Sequence, residues 1–201
     1  IDVSHFTTAR TLQDDPADQS GIPFPRFGFF GVIDERFDIY LINEIAERKP
    51  EWQFILIGPV VKIDEKQLPK KDNIHYLGMK KYEELPSYIS GWDVAILPFA
   101  LNNSTRYISP TKTPEYLAAG KPVISTAIED VIDPYGKMGL VSIAYNVDDF
   151  IEYGKKALYT DNTERDQQRD QFLETQSWDL TWEAMYNEIS KSLTHKTSKT
   201  Y

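Results

Sequence analysis

Six short, mostly apolar runs recur along the chain, and no other feature of the sequence limits the fold as tightly. They occupy residues 27–33, 52–58, 74–78, 92–98, 123–125 and 140–143. Each has the length of a strand, and each lacks the polar alternation of a strand with one wet face, so they read as strands buried on both sides. Between them the apolar residues fall at helical spacing, as in Phe37, Tyr40, Leu41 and Ile45, and again in Tyr82, Leu85, Tyr88 and Ile89. Helices are also predicted at 147–158 and 163–172, and a last one over 178–193 places Trp178, Trp182, Met185, Tyr186 and Ile189 at steps of three and four. This alternation specifies an α/β domain: a Rossmann-like doubly wound parallel sheet of about six strands with helices on both faces. In such sheets ligands bind beyond the carboxyl ends of the strands.

A chain of 201 residues fits one domain with a substantial core. Residues 1–25 mix Asp, Gln, Ser, Thr and Pro with little periodicity and read as an extended linker or lead-in segment. The sheet domain is expected over 26–177, and 194–201 as a disordered tail. The opening Ile1-Asp2-Val3 lacks a methionine and any signal-peptide character, which suggests a piece of a longer chain. A net charge of -9 argues against a protein that grips nucleic acid or an anionic membrane over a broad face. The absence of cysteine removes disulfides, thiolate nucleophiles and Cys-ligated metals, and fits the cytoplasm. His5, His75 and His195 are too scattered for a metal site, and His75 reads as a packed core or edge residue. No Gly-x-Gly-x-x-Gly, Walker loop or Gly-x-Ser-x-Gly is present, which weakens the dinucleotide, P-loop and hydrolase assignments.

The stretch 109–126 carries the strongest local signal. Pro114 suits the first position of a helix, with Thr113 as its N-cap, and Gly120 and Pro122 stop that helix after about two turns. Lys112 beside the free amides of a helix start is a candidate anion site, with phosphate the natural ligand. Four loops follow predicted strands, 31–36, 58–62, 78–81 and 98–113. The first three begin with Gly31, Gly58 and Gly78, each loop carries a cation, and the fourth holds Arg106 and Lys112. That grouping complements a diphosphate, or else consists of turn glycines and ordinary surface lysines. Glu115 either complements the helix dipole or accepts hydrogen bonds from a ribose diol, and Arg36 has Asp34, Glu35 and Asp38 as alternative partners. Asp93 reads as a capping or turn residue, and Asp148 and Asp149 as an N-cap.

The segments GFFG (28–31), FILIGP (54–59), NIHYLG (73–78), DVAILP (93–98) and PTKTPEYLAAGKPV (110–123) resemble the C-terminal domain of GT-B-fold glycosyltransferases, closest to the retaining group known as family 4. The resemblance covers roughly residues 20–193 and is most specific over 115–123. It implies a nucleoside-diphosphate sugar as donor, with UDP or GDP as the nucleotide and no obligatory cofactor. Glu115 matches the later glutamate of the family's Glu-x7-Glu motif, which holds the ribose, while Gly78 and Met79 match the loop that recognises the base. Tyr107 stands where the motif's first glutamate is expected, and Ser109, Pro110, Thr111 and Lys112 shape the diphosphate loop. Val32 and Phe37 replace the family's two cations after the first strand, leaving Arg36 as the nearest charge. With Lys112 and Arg36 assigned to the departing diphosphate, the resemblance implies the donor-binding half of a retaining hexosyltransferase of polysaccharide biosynthesis. Its acceptor, a glycan or a lipid-linked molecule, would be held by a missing N-terminal domain, toward which the aromatic helix 178–193 crosses. This chain alone would then be inactive. The expected location is cytoplasmic, with peripheral attachment at the inner membrane face for the full-length protein. Two alternatives are a sugar-nucleotide epimerase or hydrolase of the same fold and a non-catalytic interaction domain.

Overall fold

The computed structural model describes residues 1–12, 15–160, 163–176, 182–183 and 185–191. Among these residues six strands form one sheet: β1 (Arg26–Phe30), β2 (Gln53–Ile57), β3 (Ile74–Gly78), β4 (Val94–Leu97), β5 (Val123–Thr126) and β6 (Val141–Ala144). Their order is β3-β2-β1-β4-β5-β6, and every neighbouring pair is parallel. The predicted Rossmann-like sheet is therefore present, with all carboxyl ends on one edge and the direction of winding reversing between β1 and β4.

Among the described residues up to 176, seven α-helices surround it: α1 (Val3–Thr7), α2 (Ile39–Arg48), α3 (Leu85–Ser90), α4 (Lys112–Ala118), α5 (Glu129–Val131), α6 (Val147–Tyr159) and α7 (Thr163–Glu174). One layer pairs α2 with α6, and the other gathers α1, α3, α4 and α7. The α2 helix starts where Asp38 accepts from Leu41 N (2.9 Å), and it buries Leu41, Ile42, Ile45 and Ala46. Between the layers Phe27 stacks on Trp52 at 4.3 Å, and Gly28 admits the Trp92 indole, whose Cδ2 would lie 1.9 Å from a Cβ there. Among the described residues no helix is long and apolar enough to cross a membrane.

Several local expectations need correction. Residues 1–25 are not simply extended. Phe6 and Ala9 pack into the core, Gln19 is buried, and Arg26, 1% exposed, joins Asp15 (2.5 Å) to the carbonyls of Ile22 and Gly91. The segment is held by polar contacts that leave no hydrophobic period to read. The α4 helix begins at Lys112 with Thr111 as N-cap, so Thr113 lies inside it, because a proline is tolerated in a first turn, whose N–H donors have no carbonyl acceptor within the helix. Asn146, not Asp148 or Asp149, caps α6 by accepting from Asp149 N (2.9 Å). Asp93, expected to cap or turn the chain locally, instead accepts from Arg26 N (2.7 Å), 67 positions away at the start of β1. Trp178, His195 and the tail lie outside the described residues. Residues 182–183 and 185–191 are helical, with Trp182, Met185, Tyr186 and Ile189 exposed.

Candidate functional site

Three glycines meet where β1, β2 and β3 end. Gly31 (φ +150°) and Gly58 (φ +136°) adopt backbone angles that side chains resist, and their chains touch: a Cβ on Gly58 would lie 1.9 Å from the Gly31 carbonyl oxygen. Gly31 N donates to Ile57 O and Gly58 N donates to Gly78 O, both at 2.8 Å, so the pairing runs one step past each strand. Nothing stands within 4 Å of a Cβ at Gly78, and Met79 beside it is 77% exposed.

Across this edge lies α4. Lys112 passes over Gly31, its Cε 2.4 Å from where a Cβ would stand, and Nζ is 5.8 Å from the centre of the Phe30 ring. Burial lowers the Lys112 pKa, opposed by Glu115 one turn on and reinforced by Arg36. Burial raises the Glu115 carboxyl to about 7 against the pull of Lys112. Among the described residues neither group makes an ion pair or a hydrogen bond. A half-buried cation and a half-buried carboxylate without partners are costly to the fold, which is the signature of groups kept for a ligand. Glu115, Thr111, Pro114, Tyr82 and Asp2 line a cavity of about 350 Å³. A second, of about 360 Å³, opens over Gly58, Pro59, Tyr76 and Gly78.

Sequence reasoning missed two residues that hold this geometry. The Tyr116 hydroxyl, fully buried, accepts from Phe30 N (2.9 Å) and so ties α4 to the last residue before Gly31. Arg10 donates to Ala118 O (2.7 Å) at the far end of α4. The aromatic run could have suggested the first, but the second spans 108 residues of sequence.

The expected concentration of free cations is much reduced. Arg36 grips Asp34 (Nη2 to Oδ2 2.6 Å, Nε to Oδ1 3.0 Å), Lys62 lies 3.9 Å from Glu35, and Lys80 pairs with Asp18 at 2.5 Å. Burial pushes the Asp34 carboxyl up, but the Arg36 hydrogen bonds outweigh it and hold it below the usual range. Arg106 lies over the Tyr107 ring (5.3 Å) and lines a separate cavity with Asn103 and Glu129. The structure thus brings Lys112, Glu115, Thr111, Gly31, Gly58 and Gly78 together, with Met79 at the rim. It places Ser109 and Pro110 on the loop leading into α4, and sets Arg106 and the 79%-exposed Tyr107 apart. His75, half-buried, contacts Gln53 Oε1 (2.8 Å) on the neighbouring strand, the packed position its sequence context suggested.

A family profile described as glycosyl transferases group 1 matches residues 25–159, which span all six strands. The chain belongs to that family. The group 1 domain is 33% identical over 102 residues to TuaH of Bacillus subtilis (strain 168), a protein named as a teichuronic acid biosynthesis glycosyltransferase, and this match covers 49% of the chain and 26% of TuaH. HepE of Anabaena, solved in complex with UDP and glucose, has the same fold with a TM-score of 0.60 at 15% identity, over 95% of this chain and 52% of that one. The C-terminal domain of LpcC, a glycosyl transferase group 1 family protein from Francisella tularensis, gives 0.62 at 16% identity, over 88% and 97%. The matched parts of the chain therefore span about a quarter of TuaH and about half of HepE.

Proposed function

We propose that this chain is the donor-binding half of a retaining glycosyltransferase, placed C-terminally in its enzyme. It moves a hexosyl unit from a UDP- or GDP-sugar to a glycan or lipid-linked acceptor held by another domain. The observation that carries this reading is the pair Lys112 and Glu115, one turn apart and without an ion pair or hydrogen bond, with Lys112 passing over Gly31 and Glu115 lining the cavity beside it. In this reading Lys112 meets the diphosphate, Glu115 accepts from the ribose diol, and the backbone beyond Gly78 meets the base. When the bond from the anomeric carbon to the diphosphate breaks, negative charge settles on a phosphate oxygen, where the ammonium of Lys112 stabilises it. Arg36, held by Asp34, contributes at longer range through its remaining N–H groups. No cofactor is proposed beyond the donor. The likeness to a C-terminal domain over 97% of its length, and to a protein solved with UDP and glucose, supports this reading.

Calorimetry with UDP, GDP and ADP tests it. At least one should bind, and Lys112→Ala should weaken it about tenfold or more, since a charge-assisted contact contributes about 1.5–3 kcal/mol. Glu115→Ala should weaken the corresponding nucleoside as well. Binding to none of the three, or binding indifferent to both substitutions, defeats the assignment.

A further inference from the structure

A further cavity lies on the same carboxyl edge, on the β5–β6 side, and the donor reading leaves it unused. It has a volume of about 430 Å³, within the range of small-molecule sites, and opens between the first turns of α2 and the start of α6. Two tyrosines flank it, Tyr40 at 82% and Tyr145 at 68% exposure, and among the described residues neither hydroxyl has a partner. Exposed rings of that size disfavour water contact, and they offer flat apolar faces with a polar tip.

The polar groups beside them are held in place by their own capping bonds. One carboxylate oxygen of Asp38 accepts from Leu41 N, which fixes the side chain and leaves the other oxygen as an acceptor. Asn146 gives its carbonyl oxygen to Asp149 N, which leaves its amide hydrogens as donors. Thr126, at the end of β5, contributes no polar contact, because its hydroxyl already donates to Phe99 O (2.8 Å) and accepts from Phe99 N (3.1 Å). Glu44 adds a second carboxylate, 3.5 Å from Arg48 of its own helix. Among the described residues the lining thus holds two carboxylates and no cation, which disfavours phosphates and sugar acids. It suits a neutral molecule with an apolar C–H face and several hydroxyls.

We propose that this cavity is a saccharide subsite, binding an uncharged hexose against Tyr40 and Tyr145 with hydroxyls bonded to Asp38 and Asn146. Its role, holding one sugar of an acceptor whose main contacts lie on the other domain, rests on the transferase reading, because it shares the carboxyl edge with the Lys112 site. The recognition chemistry does not depend on that reading.

The test is amide chemical-shift mapping on the isotope-labelled chain, with methyl glucoside, methyl galactoside and N-acetylglucosamine at millimolar concentration as probes. Choline serves as a cationic control, and UDP, GDP and ADP as donor-site controls. At least one sugar should move the amides of Leu41, Tyr145, Asn146 and Val147, and the double variant Tyr40→Ala, Tyr145→Ala should weaken that sugar about tenfold or more. Both tyrosines are exposed, so the variant keeps its fold and its nucleotide response. Choline moving these amides while every sugar leaves them still overturns the proposal, as does nucleotide binding accompanied by no sugar response. Sugar binding without any nucleotide binding upholds this subsite and defeats the donor assignment instead.

Discussion

Glu115→Gln should stabilise the fold at pH 8 and leave it unchanged in acid. Burial raises the carboxyl from an ordinary 4.5 to about 7, so the folded chain holds the proton more tightly than the unfolded one. The contribution of such a group to stability is complete below about pH 4.5 and is lost as the pH rises through about 7. Above that point the fold carries an ionised group it disfavours, by up to about 3 kcal/mol at about 1.4 kcal/mol for each tenfold. Glu115 keeps part of its surface in water, and screening there brings the expected gain to about 1–2 kcal/mol. Glutamine has the same shape and no charge to desolvate, so it removes the cost of burying a charge without opening a cavity. Urea unfolding of both proteins at pH 8 and pH 5 measures it: the midpoint of the variant should be higher at pH 8, and the gap should close on acidification. Equal midpoints at pH 8, or a gap of the same size at both values, would refute the claim that burial strains this carboxylate.

Tyr116→Phe removes the acceptor of the Phe30 amide inside the core, at a cost of about 1–3 kcal/mol in urea unfolding; an unchanged midpoint would show that this bond does not fasten α4 to β1. Arg26→Met strands Asp15 and releases the carbonyls of Ile22 and Gly91, and should cost about 3–5 kcal/mol, with loss below 1 kcal/mol counting against a fastened N-terminal segment.

The sheet was legible because parallel strands covered on both faces must be apolar nearly throughout, and segments such as Phe54, Ile55, Leu56 and Ile57 have no other use in a folded chain of this kind. Gly31, Gly58 and Gly78 were legible as loop starts, and Lys112 and Glu115 as charged residues on a short helix. What escaped was long-range pairing. Lys80 meets an aspartate 62 positions earlier, and Arg26 meets one 11 positions earlier within a segment that has no apolar rhythm. Charge counts along a loop cannot show which cations their partners have already neutralised. The orphaned state of Lys112 and Glu115 is likewise a fact about three-dimensional neighbours.

The contact between Gly31 and Gly58 also sets limits on redesign. Main chain meets main chain at Gly58, where a Cβ would fall 1.9 Å from a carbonyl oxygen, so no other amino acid fits without the loops moving apart; at Gly31 the positive φ and the overlying Lys112 side chain set the limit. A library aimed at changing ligand preference should leave both glycines fixed and diversify the residues that project from the same loops. Val60 and Met79 are the natural choices, since one lines the neighbouring cavity and the other stands in open solvent at its rim.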